Sequence, residues 1–200
     1  MVFHILPEMV LNGRIDHIDI GDETDVCIVG CIGLVELPCW PNVLDVDCRW
    51  CTGLVALPNW PNVTNVDCRY CTNLVSLPNW QCVECVNCSH CSNLVSLPNW
   101  PNINNISCQH CSKLVTLPCW TNVTGVYCVL CPNLLIIPNW PNIKHVWCDG
   151  CTRLMYIPTW SRHVRVHFGL KNPSIPKNAA LVVLQTDYLQ SAFVPEFIHL

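Results

Sequence analysis

Apolar positions recur along this chain with a step that never drifts. In residues 63–80, VTNVDCRYCTNLVSLPNW, the recurring side chains stand at Val63, Val66, Cys68, Cys71, Leu74, Leu77 and Trp80, and nearly the same run returns every 20 residues from Val43 to Trp160. A fixed period in this range means one supersecondary unit stacked on copies of itself, each unable to bury its apolar side alone. Val66 and Cys68 are two apart and so share one face of an extended strand. No segment sustains the i, i+3, i+4, i+7 spacing of an amphipathic helix. Pro78 has a counterpart in every copy, and Pro61, Pro101 and Pro141 add a second proline to the same arm. A ring-locked φ with no N–H suits a polyproline-like return. The pattern predicts a β-rich solenoid with little helix, capped at both ends. Each coil would be a short parallel strand, a tight turn through Cys71 and an extended return arm.

The regular run divides the chain. Residues 1–22 are expected to form an N-terminal cap, in which Ile15-x-x-Ile18-x-Ile20 ahead of Gly21-Asp22 reads as a strand turning back into the first coil. Residues 23–178 form the solenoid, as seven 20-residue coils plus one degenerate coil, and residues 179–200 form a C-terminal cap, either strand or short helix. In the first coil Glu23 and Ile28 stand where Val and Cys recur, and Cys27 is outward. The last keeps Val166 and Phe168 but has Lys171 at the cysteine position and Ile175-Pro176 two residues early. Terminal copies face solvent on one side, so such departures are expected there.

At Val63, Val66, Cys68, Cys71 and Leu74 the chain resembles the leucine-rich repeat family, whose strand signature is LxxLxLxxN or LxxLxLxxC followed by a further Leu. The Leu77-Pro78-x-Trp80 arm looks like the LPxLP return of the shortest, bacterial-type repeats, with Trp for the second Leu. Tandem WPNVxxVxCxxCxxLxxLP units are also similar to repeat proteins encoded by large DNA viruses of amoebae. The resemblance spans roughly residues 23–176. It implies a scaffold fold used for many partners, and a host-cytoplasmic setting if the chain is virus-encoded.

Composition narrows the classes. Hydrophobic residues make up 51% and charged ones 12%, so most side chains are meant for an interior. A net charge of −4 and the lack of a basic run argue against nucleic acid. The opening MVFHILPEMV has neither a cationic start nor a long apolar stretch, so no secretory signal is expected. AALVVL at 179–184 is too short to cross a bilayer. Eighteen cysteines would suit a secreted disulfide scaffold. Two features point instead to a reducing, intracellular setting. Sequons at Asn62, Asn87, Asn105 and Asn122 would put two glycans on the strand face, and most of the cysteines follow the repeat as columns.

One cysteine column, from Cys48 to Cys148, has Ile28 and Phe168 at its ends and therefore reads as core. The other, from Cys31 to Cys151, sits where a thiol can donate weakly to a neighbouring coil's carbonyl. Each pair is a CxxC, and coils about 4.8 Å apart would bring Cys68, Cys71, Cys88 and Cys91 together as an alternative zinc set. Repeated buried charge, non-ligand end residues and missing knuckle glycines weigh against that, and the thioredoxin-like reading lacks its βαβ context. No cofactor is expected. Cys39, Cys82, Cys85 and Cys119 lie off the columns and are the candidates for oxidation if exposed. The recurring Trp reads as core, each ring hiding about 150–250 Å², or roughly 4–6 kcal/mol of gross burial.

Function is expected where the repeat stops repeating, on the outward strand positions. One such column runs Asp47, Asp67, Asn87, Ser107, Tyr127, Trp147, His167, and the next runs Arg49, Arg69, Ser89, Gln109, Val129, Asp149. Beside them run Trp50, Tyr70, His90, His110, Leu130, Gly150. Outward aromatics at low charge suit interface anchors, so Trp50, Tyr70, His90, His110, Tyr127, Leu130 and Trp147 are the candidate partner-binding residues. His90 and His110, one coil apart, could also bind metal or sense pH. No nucleophile, base and oxyanion donors form a constellation, and no glycine-rich phosphate loop occurs. The expected function is a non-catalytic protein–protein interaction scaffold, with a protein partner or a second copy of itself. The alternative is a zinc-binding or redox-active CxxC protein.

Overall fold

The computed structural model describes residues 2–160 and 164–167. Nine strands form one parallel sheet in sequence order: β1 (Val2–His4), β2 (Asp25–Cys27), β3 (Asp45–Asp47), β4 (Asn65–Asp67), β5 (Cys85–Asn87), β6 (Asn105–Ser107), β7 (Gly125–Tyr127), β8 (His145–Trp147) and β9 (Arg165–His167). The chain is a parallel β-solenoid. From β2 onward every strand pairs residue i with i+20, so each side chain sits on its own counterpart. The central Val or Ile of each strand from β2 on points inward, and Val66 and Cys68 are both buried on one face as their spacing requires. The chain turns on either side of Cys71, and the return through residues 74–80 carries neither helix nor strand.

The N-terminal segment departs from expectation. The strand expected over residues 15–20 lies at Val2–His4, where β1 pairs with β2 at a step of 23 residues rather than 20. Ile5 then fills the column of Ile28 and Cys48, while Ile15 and Ile20 are buried in the core without pairing as strands. Their alternation reported burial, not a ladder. A 3-10 turn (Pro7–Met9) is the helical element among the described residues. Phe168, Lys171, Ile175, Pro176 and the expected C-terminal cap at 179–200 lie outside them.

Both periodic columns are interior. No disulfide joins any of the 18 cysteines, and the two columns are buried throughout. The thiols of Cys51, Cys71, Cys91, Cys111, Cys131 and Cys151 donate to the carbonyls of Ile28, Cys48, Cys68, Cys88, Cys108 and Cys128 at 2.8–3.2 Å. Each is a weak donor placed on the coil before it, stitching turn to turn. The indoles from Trp40 to Trp160 lie nearly parallel in one column, with centroids 6.0–6.4 Å apart. Trp60, Trp80, Trp100, Trp120 and Trp140 donate Nε1–H to the carbonyls of Pro38, Pro58, Pro78, Pro98 and Pro118 at 2.8–3.0 Å. The proline that cannot donate thus supplies the acceptor that satisfies a buried donor.

The step per coil is not uniform. It is 6.0–6.4 Å at the indoles and 4.1 Å between the outward rings of His90 and His110. Identical residues on successive coils measure the local displacement, and strands lie about 4.8 Å apart.

Candidate functional site

The outward side chains form three zones. At the N-terminal end Arg49 clamps Asp47 through Nε to Oδ1 (2.8 Å) and Nη2 to Oδ2 (2.7 Å), and Arg69 holds Asp67 in the same way at 3.0 and 2.8 Å. Arg49 also reaches Asp67 Oδ2 at 3.8 Å, linking the coils. Two-point pairing of a guanidinium with a carboxylate fixes both side chains. In the middle, Ser89 Oγ donates to Asn87 Oδ1 at 2.8 Å, meets Ser107 Oγ at 2.8 Å, and Gln109 Nε2 donates to Ser107 Oγ at 3.2 Å. Asn87, Ser89 and Ser107 are only 5%, 4% and 3% exposed, so these outward positions are not a solvated face. Short side chains sink between longer neighbours and satisfy one another.

At the C-terminal end the same column turns aromatic. Tyr127 stacks on Trp147 and Trp147 on His167, each at 4.5 Å and within 11° of parallel. All three are half-buried. Burial raises the Tyr127 phenol and lowers His167, and it raises Asp149.

The column at 50, 70, 90, 110 and 130 is not on the strands. These residues lie in the turn that follows, with φ of 65, 63, 64, 58 and 57°. Left-handed backbone costs an L-residue about 1–2 kcal/mol. Hydrogen bonds hold it, since Trp50 N donates to Arg69 O and Tyr70 N to Ser89 O at 2.9 Å, with the same link at His90, His110 and Leu130. The turn splays the side chains along one edge. Trp50 stacks on Tyr70 at 3.7 Å, Tyr70 on His90 at 4.2 Å and His90 on His110 at 4.1 Å, all within 13° of parallel. Burial lowers both histidines, and His110 and Arg69 lower His90 further.

The seven candidate residues therefore separate. Trp50, Tyr70, His90 and His110 form one stack, Leu130 continues its column, and Tyr127 with Trp147 belongs to the other, joined by His167. Sequence reasoning missed an exposed apolar stripe on the return arm, Val35, Val55, Val75 and Val95, ending at Met155 and flanked by Ile136 and Tyr156. The signal was present, because an apolar residue follows the recurring Leu in every coil. Among the off-column cysteines Cys39, Cys82 and Cys119 are exposed and Cys85 is half-buried.

The alternative zinc set is occupied otherwise. Cys71 and Cys91 point at the carbonyls of Cys48 and Cys68. The neighbouring Cys91 and Cys111 thiols, together with burial, hold Cys68 and Cys88 well above the usual thiol range, and burial pushes Cys51 up to about 12. A thiol held protonated, as at Cys51, Cys68 and Cys88, is a poor nucleophile. Among the described residues no group of three or more His, Cys, Asp or Glu is placed to hold a metal ion. No helix there is long and apolar enough to cross a membrane.

Fold and site together define a parallel β-solenoid with a sealed thiol-and-indole interior and two outward ring stacks. Among solved structures the chain is similar to a leucine-rich repeat protein of T. pallidum, at 16% identity and a TM-score of 0.44, covering 76% of this chain and 67% of that one. It is also similar to a leucine-rich repeat protein from Bacteroides ovatus, at 13% identity and a TM-score of 0.33, covering 72% and 54%. No protein-family model and no curated protein matches the chain.

Proposed function

We propose that the chain is a non-catalytic interaction scaffold of the short leucine-rich repeat kind, presenting its outward face to a protein partner. One observation carries this reading: Tyr127, Trp147 and His167 stack at 4.5 Å on adjacent strands of a rigid sheet. Rings fixed before a partner arrives lose little entropy on binding and suit hot-spot anchors. Residues 1–22 act as the N-terminal cap, and a second copy of the chain is one partner the face would accept. The setting is intracellular. Its support is that the two cysteine columns are buried, that the sequon residue Asn87 is buried, and that Asn62 and Asn122 donate Nδ2 to the carbonyls of Pro41 and Pro101 at 2.8 Å.

The test is a pull-down from cell lysate with wild type beside Tyr127→Ala/Trp147→Ala. A partner retained by wild type and lost by the double variant is the expected outcome, and an unchanged set of captured proteins would remove the anchor. Light scattering reads self-pairing. Thiol titration with elemental analysis should return free thiols and no zinc, and stoichiometric zinc would move the reading to the metal-binding alternative.

A further inference from the structure

Among the described residues the turn column runs from Gly30 to Gly150, and the two glycines are not equivalent. At one end Gly150, with φ 71°, is filled from the side: a Cβ there would lie 2.5 Å from Leu130 Cδ2. At the other end Gly30, with φ 76°, has nothing within 4 Å of where a Cβ would stand. Gly30 occupies the position that in later coils carries Trp50, Tyr70, His90 and His110, so the ring stack stops one member short. Trp50 is left as the terminal ring and is 49% exposed. One of its faces meets Tyr70, and the next column position on its other side is Gly30.

The surroundings select what stacks there. Nine of the fourteen acidic residues and two of the ten basic ones fall in the first 50 positions. One of those two, Arg49, is already held by Asp47. Burial raises the Cys31 thiol, and behind it Cys27 and then the carboxylate of exposed Glu8 act in the same direction. A flat group fits a slot whose neighbours repeat at 3.7–4.2 Å. A cation suits the acidic end, and the face of Trp is the best aromatic surface for one. Arginine combines the two, because its guanidinium is planar and permanently charged.

We propose that the Gly30 slot against Trp50 binds the guanidinium of an arginine in a basic peptide segment of a protein partner. The proposal deepens the scaffold reading by adding a second anchor at the opposite end of the outward face from Tyr127 and Trp147.

The probe is the peptide Gly-Arg-Gly-Arg-Gly, with its lysine and phenylalanine counterparts, titrated into the full chain. The readout is the indole N–H resonance of Trp50, assigned by its loss in Trp50→Leu. The arginine peptide is expected to shift this signal and to bind at least about threefold more tightly than the lysine peptide. Gly30→His fills the slot with a residue that the same turn accepts at His90 and His110. It should keep the melting temperature and lose the response. Equal binding of the arginine and lysine peptides, tighter binding of the phenylalanine peptide, no response at all, or a response surviving in Gly30→His would each overturn the proposal. A failure here that coincides with a partner lost on Tyr127→Ala/Trp147→Ala leaves the scaffold reading standing.

Discussion

Two stacks of rings run along this solenoid on the same 20-residue period, and they obey different rules. The inner one is Trp in every coil, steps by 6.0–6.4 Å, and ties five of its indoles to proline carbonyls. The outer one changes from Trp to Tyr to His, steps by 3.7–4.2 Å, and gives way to Leu130 and Gly150. An interior site needs one volume and one donor reaching one acceptor, so a single residue type satisfies it. An edge site needs only a flat or compact group that a left-handed turn tolerates. Constancy of residue type along the inner stack therefore goes with full burial, and variation along the outer stack goes with a site that no single volume or donor constrains.

The largest effect that distinguishes the stacks should come from the inner one. Trp100→Ala empties a buried site and leaves Pro78 O without its donor, at 2.9 Å in the native chain. Core Trp→Ala changes cost about 3–5 kcal/mol. For a chain of this size that lowers the melting temperature on the order of 10 °C, or splits the transition as the coils on either side uncouple. A variant melting within about a degree of wild type would refute an indole interior.

How much of this was legible follows from the same contrast. Interior features announce themselves by repetition: the strand face shared by Val66 and Cys68, the buried thiols and the indole column all follow from residues that recur. Cys71 could be aimed at a neighbouring carbonyl because both belong to each copy. Features outside the repeat were harder. Ile15 and Ile20 looked like a strand because core plugs and strands both bury alternate residues, while β1 has only three residues and joins at a different step. The turn column was taken for part of the strand face. Gly30 and Gly150 within it were the clue, since glycine in a column marks a positive φ. The buried polar link from Asn87 to Gln109 depends on neighbours' lengths across coils, which no single repeat displays.

A smaller loss tests the thiol stitching. Cys91→Ala removes the donor to Cys68 O at 3.1 Å and leaves that carbonyl with Cys71 N alone. Losing the bond and leaving a small void costs about 1–3 kcal/mol. Cys91→Ser keeps a donor and should stay within about 1 kcal/mol of wild type by chemical denaturation. A serine variant as unstable as the alanine one would mean the thiol acts through volume alone.

Acid should act on the outer stack. His90 and His110 are lowered by burial, so the folded chain binds fewer protons than the unfolded chain, whose histidines titrate near about 6.5. Their contribution is complete above that value and is lost as pH falls below it. The melting temperature should therefore drop between about pH 7.5 and 5.5. His90→Gln/His110→Gln should flatten the slope without abolishing it, because His145 and His167 shift the same way. A slope unchanged in the double variant would assign the acid sensitivity elsewhere.

The smallest effect is the sharpest test of the contrast, because it makes one substitution in both stacks. Trp50→Leu places on the turn the residue that Leu130 already carries at nearly the same φ, 57° against 65°. The lost ring is 49% exposed. The remaining stack from Tyr70 to His110 has its own contacts at 4.2 and 4.1 Å. The melting temperature should move by no more than about 2 °C, within the range of ordinary surface changes. Trp100→Leu fills more of the site than alanine but still strands the Pro78 carbonyl and leaves a void against Trp80 and Trp120. It should cost several times as much. Equal losses at the two positions would mean that the outer rings are core in all but exposure, and their variation along the chain would no longer mark a site that no single volume or donor constrains.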